Sequence, residues 1–261
     1  MITVSGVQAP ADTSSWSPVA SKIYERKKNS PVTYRYSSLQ QLRFEFELRA
    51  AIVAAAKDLS SSGMRFSSFK RARCNERVWR LTKEGGFRIR NDVTPAAGIR
   101  DIYENGRLYA TECATATVIV VYKGILDSIR ETDFNFLFSG LLLYDWHVDQ
   151  DLQLTKQPGI EEAYLGDLLY FDNPDYSPET PQWRGENVVK LDDDLYYGHP
   201  FGILPERAIV AGLNRFRRPG SEKSAYLMDE IVQPGYSYLS QFASNAPRVA
   251  IARIGGRVLV H

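Results

Sequence analysis

Apolar residues early in the chain recur mostly at helical spacing, and later in the chain mostly at strand spacing. From residue 39 to residue 59, Leu39, Leu42, Phe46, Ala50 and Val53 form one stripe, and Leu48, Ile52, Ala55 and Leu59 a second. A helix apolar on two sides is buried around much of its circumference. Ser37-Ser-Leu-Gln40 before it resembles a capping box, and Gly63 after it suits a C-cap. The next apolar run, Ala114 to Tyr122, follows the turn signal Asn105-Gly106 and a polar entry at Thr111-Glu112. It begins with small residues, as a buried helix does when its first turn lies close to something else. Thr111 is the expected N-cap, which puts Cys113 in the first turn. The β-branched stretch from Thr115 to Val121 fits a strand as well, and periodicity alone does not separate the two. The two long helices are expected to pack side by side.

The rest of the pattern is strand-like. Trp79 and Leu81 alternate with Arg80, and Phe87 and Ile89 with Arg88 and Arg90, around Lys83-Glu-Gly-Gly86. This predicts a hairpin with an apolar inner face and a basic outer one. Later strands are expected at 141–148, 168–171, 183–191, 195–199 and 224–228, with Asp192-Asp-Asp194 as a turn. A short helix is expected after Thr132-Asp133, and Pro205-Glu206 opens an amphipathic helix to about Phe216. Residues 251–260 read as a hairpin or a loose tail. Residues 1–36 read as an arm laid over the domain, with Arg26-Lys-Lys28 as a solvated turn. The expected division is an arm (1–36), a catalytic region (37–230) and a C-terminal extension (231–261) within a single domain. Helices first and antiparallel strands after them make an α+β arrangement.

Composition narrows the functional classes. A net charge of +1 over 261 residues gives no long-range pull toward nucleic acid or membrane. The basic stretch from Arg65 to Arg90 brings no recognition helix or stacking platform, so it reads as a solvated face. Two cysteines make no disulfide framework, which fits a reducing compartment. Met1-Ile-Thr-Val-Ser-Gly lacks the basic start and apolar core of a secretory leader, and no stretch is long and apolar enough to span a membrane. Cys and His show no metal-ligand spacing, the Asp192–Asp194 turn lacks the glycine and distal glutamate of a calcium loop, and no phosphate-binding glycine motif occurs.

Cys113 is open to a structural and a catalytic reading. A lone cysteine is often just a small buried hydrophobe. A cysteine in the first turn of a helix, however, faces the positive end of the dipole, which favours thiolate. Candidate partners are few, because the chain has only His147, His199 and His261. The hairpin 186–199 places Glu186 at the start of one strand and His199 at the end of the next, so antiparallel pairing brings them to the same edge. A nucleophilic thiol needs a base within reach and a group to orient it. Cys74 has no motif around it.

Several long segments in order resemble the bacterial spore-coat protein-glutamine γ-glutamyltransferases, small calcium-independent transglutaminases. They are Ala50-Ala-Ile-Val-Ala-Ala-Ala-Lys57, Arg100-Asp-Ile-Tyr-Glu-Asn-Gly106, Tyr109-Ala-Thr-Glu-Cys-Ala-Thr-Ala116, Leu143-Tyr-Asp-Trp-His147, Gly166-Asp-Leu-Leu-Tyr-Phe171, Gln182-Trp-Arg-Gly-Glu-Asn-Val188 and Ser224-Ala-Tyr-Leu227. The resemblance spans about residues 35 to 230. It implies a fold related to papain-like and bacterial cell-wall cysteine peptidases, with an antiparallel sheet against helices and the nucleophile at a helix N-terminus. It implies Cys113 as nucleophile, Glu186 as its chief partner in the place a histidine base usually takes, Glu112 as an auxiliary glutamate and His199 as the third residue. Trp146, Trp183, Tyr170 and Phe66 match aromatic positions lining the approach to the cysteine. The implied reaction passes through a Cys113 thioester, releases ammonia and joins glutamine to lysine between proteins, with no metal or organic cofactor. The implied setting is the mother-cell cytoplasm and then the spore coat, with coat proteins as substrates, no nucleic-acid or membrane partner, and a monomeric enzyme. A cysteine amidase or peptidase using water, and a silent coat scaffold, are the competing readings. The glutamate in the histidine place weighs against the first, and the intact set of four site residues against the second.

Overall fold

The computed structural model describes residues 1–8, 11–249, 251–254 and 257–260. The chain opens with Ile2–Val4 (β1), which pairs in parallel with Tyr34–Tyr36 (β2) across helix Pro18–Asn29 (α1). Arg26-Lys-Lys28 is the last turn of that helix and not a solvated loop. Lys27 is 3% exposed because its Nζ meets Glu45 at 2.5 Å and the Tyr36 hydroxyl at 3.2 Å. Helix Leu39–Ser61 (α2) is capped one residue later than expected. Ser38 accepts from the Gln41 N–H at 3.1 Å, and the Gln41 side chain accepts from the Ser37 N–H at 2.7 Å. Past its end, Gly63 takes φ +86°, a conformation glycine adopts without a Cβ clash.

Arg65–Phe66 (β3) leads to the hairpin of Trp79–Leu81 (β4) and Phe87–Ile89 (β5). The alternation holds for Trp79, Phe87 and Ile89, which are buried, and for Arg80 and Arg88, which are exposed; Leu81, expected on the inner face, is instead exposed at the end of β4. Helix Pro95–Glu104 (α3) precedes Ala110–Thr111 (β6), which pairs in parallel with β3. Helix Cys113–Leu126 (α4) follows, with only Lys123 among its residues not buried. It packs against α2 more extensively than any other pair of helices. Gly124 permits the approach, since a Cβ there would lie 2.6 Å from Ile52 Cγ1 and 2.9 Å from the Ile52 nitrogen.

After helix Glu131–Leu137 (α5), the strand expected over 141–148 shrinks to Leu142–Leu143 (β7), paired with β5. Asp145 sits at φ +49°, which turns the chain out of the strand before Trp146. Then come Thr155–Gln157 (β8), Leu168–Asp172 (β9), Gly185–Asp192 (β10), Leu195–Gly198 (β11), Gly202–Leu204 (β12), helix Glu206–Asn214 (α6), Tyr226–Leu227 (β13) and Ile231–Gln233 (β14). They form one antiparallel sheet in the order β12-β11-β10-β9-β14-β8, with β13 also on β9. Residues beyond 230 are therefore part of the sheet. Helix Tyr236–Leu239 (α7) packs on α2, and Ile251–Ile254 (β15) pairs with Arg257–Val260 (β16) as a hairpin.

The alternation along β10 divides the core. Val189 and Leu191 join the large cluster with α2 and α4, while Val188 packs with Leu169, Phe171 and Tyr196 against Ile209 and Leu213 of α6. A sheet covered by helices on two faces, with the Cys113 helix against one of them, makes an α+β fold.

Candidate active site

Cys113 is the first residue of α4 and 9% exposed. The residue that caps the helix is Glu112, not Thr111. Its two carboxylate oxygens accept from the N–H groups of Ala114 at 2.6 Å and Thr115 at 2.7 Å. A carboxylate there satisfies two of the unpaired first-turn donors and meets the positive end of the helix dipole. The N–H of Cys113, at the first helical position, has no acceptor within the helix.

The sheet brings β10 across this helix end. Pairing of Val188 with Gly198 continues to set Asn187 opposite His199, so Glu186 and His199 are diagonal neighbours at the sheet end. Glu186 is 1% exposed. Its carboxyl lies over Gly198, where a Cβ would stand 3.0 Å from Oε1, and it interacts with the backbone N–H of His199. Oε1 has no hydrogen-bond partner among the described residues. The side chain that touches the thiol is the next one along: Asn187 Nδ2 donates to Cys113 Sγ at 3.3 Å.

Burial dominates the electrostatics. It pushes the Cys113 thiol up, and the charges of Glu186 and Glu112 push it further, while the backbone and side-chain N–H groups of Asn187 oppose them. Burial, then Glu112, also pushes Glu186 up. The helix end therefore does not leave a free thiolate by itself. Thiol and carboxyl are both shifted toward their protonated forms, and the titration of each depends on the charge of the other. His199 is pulled down by burial and so is neutral, although the carbonyls of Arg65 and Thr111 draw it partly back. Its Nε2 has no hydrogen-bond partner among the described residues.

Aromatic side chains close in around these groups. Phe66 stacks on Trp183 at 5.3 Å between centroids and lies 6.0 Å from the His199 ring. Trp183 is stacked on its other side by Phe216 at 4.2 Å. Tyr170 pairs with Asn187 across the sheet and feels the charge at Cys113; burial first, then that charge, pushes its phenol up to about 12. Its ring occupies the space a side chain at Gly185 would need, since a Cβ there would meet the hydroxyl at 2.1 Å. Trp146 stands outside this stack, 37% exposed, on a loop anchored where the Asp145 N–H donates to Thr115 Oγ1 at 2.8 Å.

The family model described as protein-glutamine γ-glutamyltransferase matches residues 1–243. The chain belongs to the protein-glutamine γ-glutamyltransferase family. The enzyme of that name from Bacillus pumilus strain SAFR-032 is 46% identical over 209 residues, 80% of this chain and 84% of that one. The one from Bacillus subtilis strain 168 is 42% identical over 237 residues, 88% of this chain and 94% of the other. A solved transglutaminase from Geobacillus stearothermophilus, without its C-terminal extension, superposes with a TM-score of 0.76 at 50% identity, covering 79% of this chain and 98% of that one. The chain is an acyltransferase that cross-links proteins through glutamine.

For this transglutaminase the structure gathers Cys113, Glu112, Glu186, His199, Tyr170, Phe66 and Trp183 at one end of the sheet, with the Trp146 loop tied to the Cys113 helix. Sequence reasoning missed Asn187, Gly185, Gly198 and Thr115. Strand parity was the available signal for Asn187, because a residue next to Glu186 faces the opposite side of β10. Among the described residues no group of three or more His, Cys, Asp or Glu is placed to hold a metal ion, and no helix is long and apolar enough to cross a membrane.

Proposed function

We propose that Cys113 is the nucleophile and Glu186 its proton carrier in forming ε-(γ-glutamyl)lysine bonds. The observation that carries this reading is a buried thiol at a helix start within the field of a buried carboxyl whose Oε1 has no hydrogen-bond partner among the described residues. An unmatched buried acceptor costs about 1–3 kcal/mol, so its retention points to use. The Cys113 thiolate attacks the γ-carboxamide carbon of a protein glutamine, and the Cys113 N–H holds the oxyanion. Glu186 gives its proton to the departing nitrogen, ammonia leaves, and a thioester and a carboxylate remain. A neutral lysine amine then attacks the thioester, its proton passes to Glu186, and the Cys113 thiolate is released. Glu112 acts from its capping position by charge. His199 positions Glu186 through its backbone N–H. Phe66, Trp183, Tyr170 and Trp146 line the substrate approach and keep out the water that would hydrolyse the thioester. The fold is of the papain-like and cell-wall cysteine-peptidase type. The enzyme works as a monomer without calcium, on spore coat proteins, first in the mother-cell cytoplasm and then in the coat.

The test is incorporation of a fluorescent primary amine into a glutamine-rich protein in the presence of a calcium chelator, with ammonia release measured in parallel. Wild type labels the protein; Cys113→Ala and Glu186→Gln do not. Ammonia release without labelling would make the enzyme an amidase instead.

A further inference from the structure

We propose that Asn187 is a catalytic residue of this transglutaminase: its carboxamide N–H is the donor that holds the Cys113 sulfur as thiolate. The inference rests on Cys113 as nucleophile. The geometry is direct. Asn187 Nδ2 lies 3.3 Å from Sγ, and the Asn187 side chain is 8% exposed, so bulk water does not compete for the contact. Its backbone is fixed on both flanks, by the β9 pairing through Tyr170 and by Thr117 Oγ1 of α4, 3.5 Å from the Asn187 carbonyl oxygen. The amide is thus carried on a strand and aimed at the helix end rather than hung from a loop.

Two arguments give the contact its purpose. A neutral thiol is a weak acceptor, so an amide buried against it recovers little of its desolvation cost. Against a thiolate the same N–H makes a charge-assisted bond of roughly twice the strength. Second, chemistry needs the sulfur without its proton and the Glu186 carboxyl with one. Burial first, and then the two nearby carboxylates, favour a proton on sulfur; the N–H groups of Asn187 work against them. With the proton on Glu186, the sulfur attacks and the acid is ready for the departing nitrogen. In the tetrahedral intermediate the sulfur is no longer charged, and the same N–H is released toward the oxyanion next to it.

The experiment measures the pH dependence of Cys113 alkylation by iodoacetamide in a Cys74→Ala background, for wild type, Asn187→Ala and the near-isosteric, uncharged Asn187→Leu, with kcat and KM for amine incorporation. Both variants are expected to raise the alkylation midpoint by about one pH unit or more. The kcat of each is expected to fall roughly 10- to 100-fold, with KM changed less than about threefold. Alkylation midpoints equal to wild type in both variants would overturn the proposal, whatever turnover does. If Asn187→Ala is unfolded by its melting curve, Asn187→Leu alone decides, because it nearly keeps the volume, removes the donor and adds no charge. Full activity in Cys113→Ala would instead remove the nucleophile assignment, a separate failure from an unmoved midpoint.

Discussion

Two clusters of ionisable groups are buried in this enzyme, and they are built on opposite terms. Beneath the N-terminal arm, Lys27 and Arg49 meet Glu45 and Asp167. Arg49 donates to Glu45 at 2.8 Å, to Asp167 at 2.6 Å and to Gln233 at 2.8 Å, while Lys27 and Tyr36 complete Glu45. Burial alone would push the Glu45 carboxyl up, but the two cations override it and hold it at about 2. At the other end of α2 and α4, Cys113, Glu112 and Glu186 are buried, and among the described residues no cation joins them and Glu186 Oε1 and His199 Nε2 lack hydrogen-bond partners. The first cluster has its charges matched and clamps arm, helix and sheet together. The second is left short of partners, so its protons move and a substrate can supply what is missing. Burial alone does not separate structural from reactive polar groups; the accounting of partners does.

If that contrast is right, losses in the two clusters show up in different measurements. The largest effect is expected for Cys113→Ala, which removes amine incorporation to background while shifting the melting temperature by less than about 2 °C, since only one small group is lost. Glu186→Gln is expected next, with roughly 100- to 1,000-fold lower kcat and unchanged or increased stability, as a neutral amide replaces a buried carboxyl that no described cation pairs. Arg49→Met should do the reverse. Removing the cation leaves Glu45 and Asp167 buried together and costs about 3–5 kcal/mol, read by chemical denaturation, while the turnover of the remaining folded fraction stays within about threefold. A catalytic collapse in Arg49→Met without destabilisation would erase the distinction.

How far the sequence revealed each cluster differs for a physical reason. The nearness of Cys113, Glu186 and His199 was legible because they fall on elements with strong local signals, a polar entry to an apolar run and a hairpin with an acidic turn, while their roles were implied only by the family resemblance. The clamp was not legible. Lys27 lies in a basic triplet that local pattern reads as solvated, and its partner Glu45 comes from α2. Long-range pairing of that kind leaves no periodic trace. The strand expected through Trp146 failed similarly, since Asp145 at φ +49° is held there by a bond to Thr115, thirty positions earlier. Asn187 escaped because adjacency to Glu186 hid which of the two side chains the strand turns toward the thiol.

The two clusters should also answer pH in opposite senses. Glu45, lowered from 4.5 to about 2, contributes stability that is present above its unfolded pKa and is lost as pH falls through the folded value. Glu186, raised above 4.5, contributes stability that is present below its unfolded pKa and is lost as pH rises through its folded pKa. Melting temperatures of wild type and Glu186→Gln are therefore expected to diverge as pH is raised from about 5, with the variant the more stable. Wild type and Glu45→Gln should converge as pH is lowered from about 5 toward 2. Parallel curves for Glu186→Gln would mean that its carboxyl is not desolvated in solution.

The smallest expected effect is the most local. Gly198 leaves room for the Glu186 carboxyl, and a Cβ at 198 would come within 3.0 Å of Oε1, 3.1 Å of Glu186 Cγ and 3.2 Å of Val188 Cγ1. These are tight contacts with side-chain atoms, not backbone, so Gly198→Ala is accommodated by a shift of the carboxyl of a few tenths of an ångström. Stability should change by less than about 1 kcal/mol, partly because alanine also restricts the unfolded chain. Displacing a proton-transfer group by that much while leaving its chemistry intact should lower kcat by about 10-fold with KM nearly unchanged. A paired Gly198→Ala/Glu186→Gln variant should then be no worse than Glu186→Gln alone, because with the carboxyl already gone its displacement has nothing left to cost. Additive losses would show that Gly198 acts on some other group, with His199 next to it the first to test.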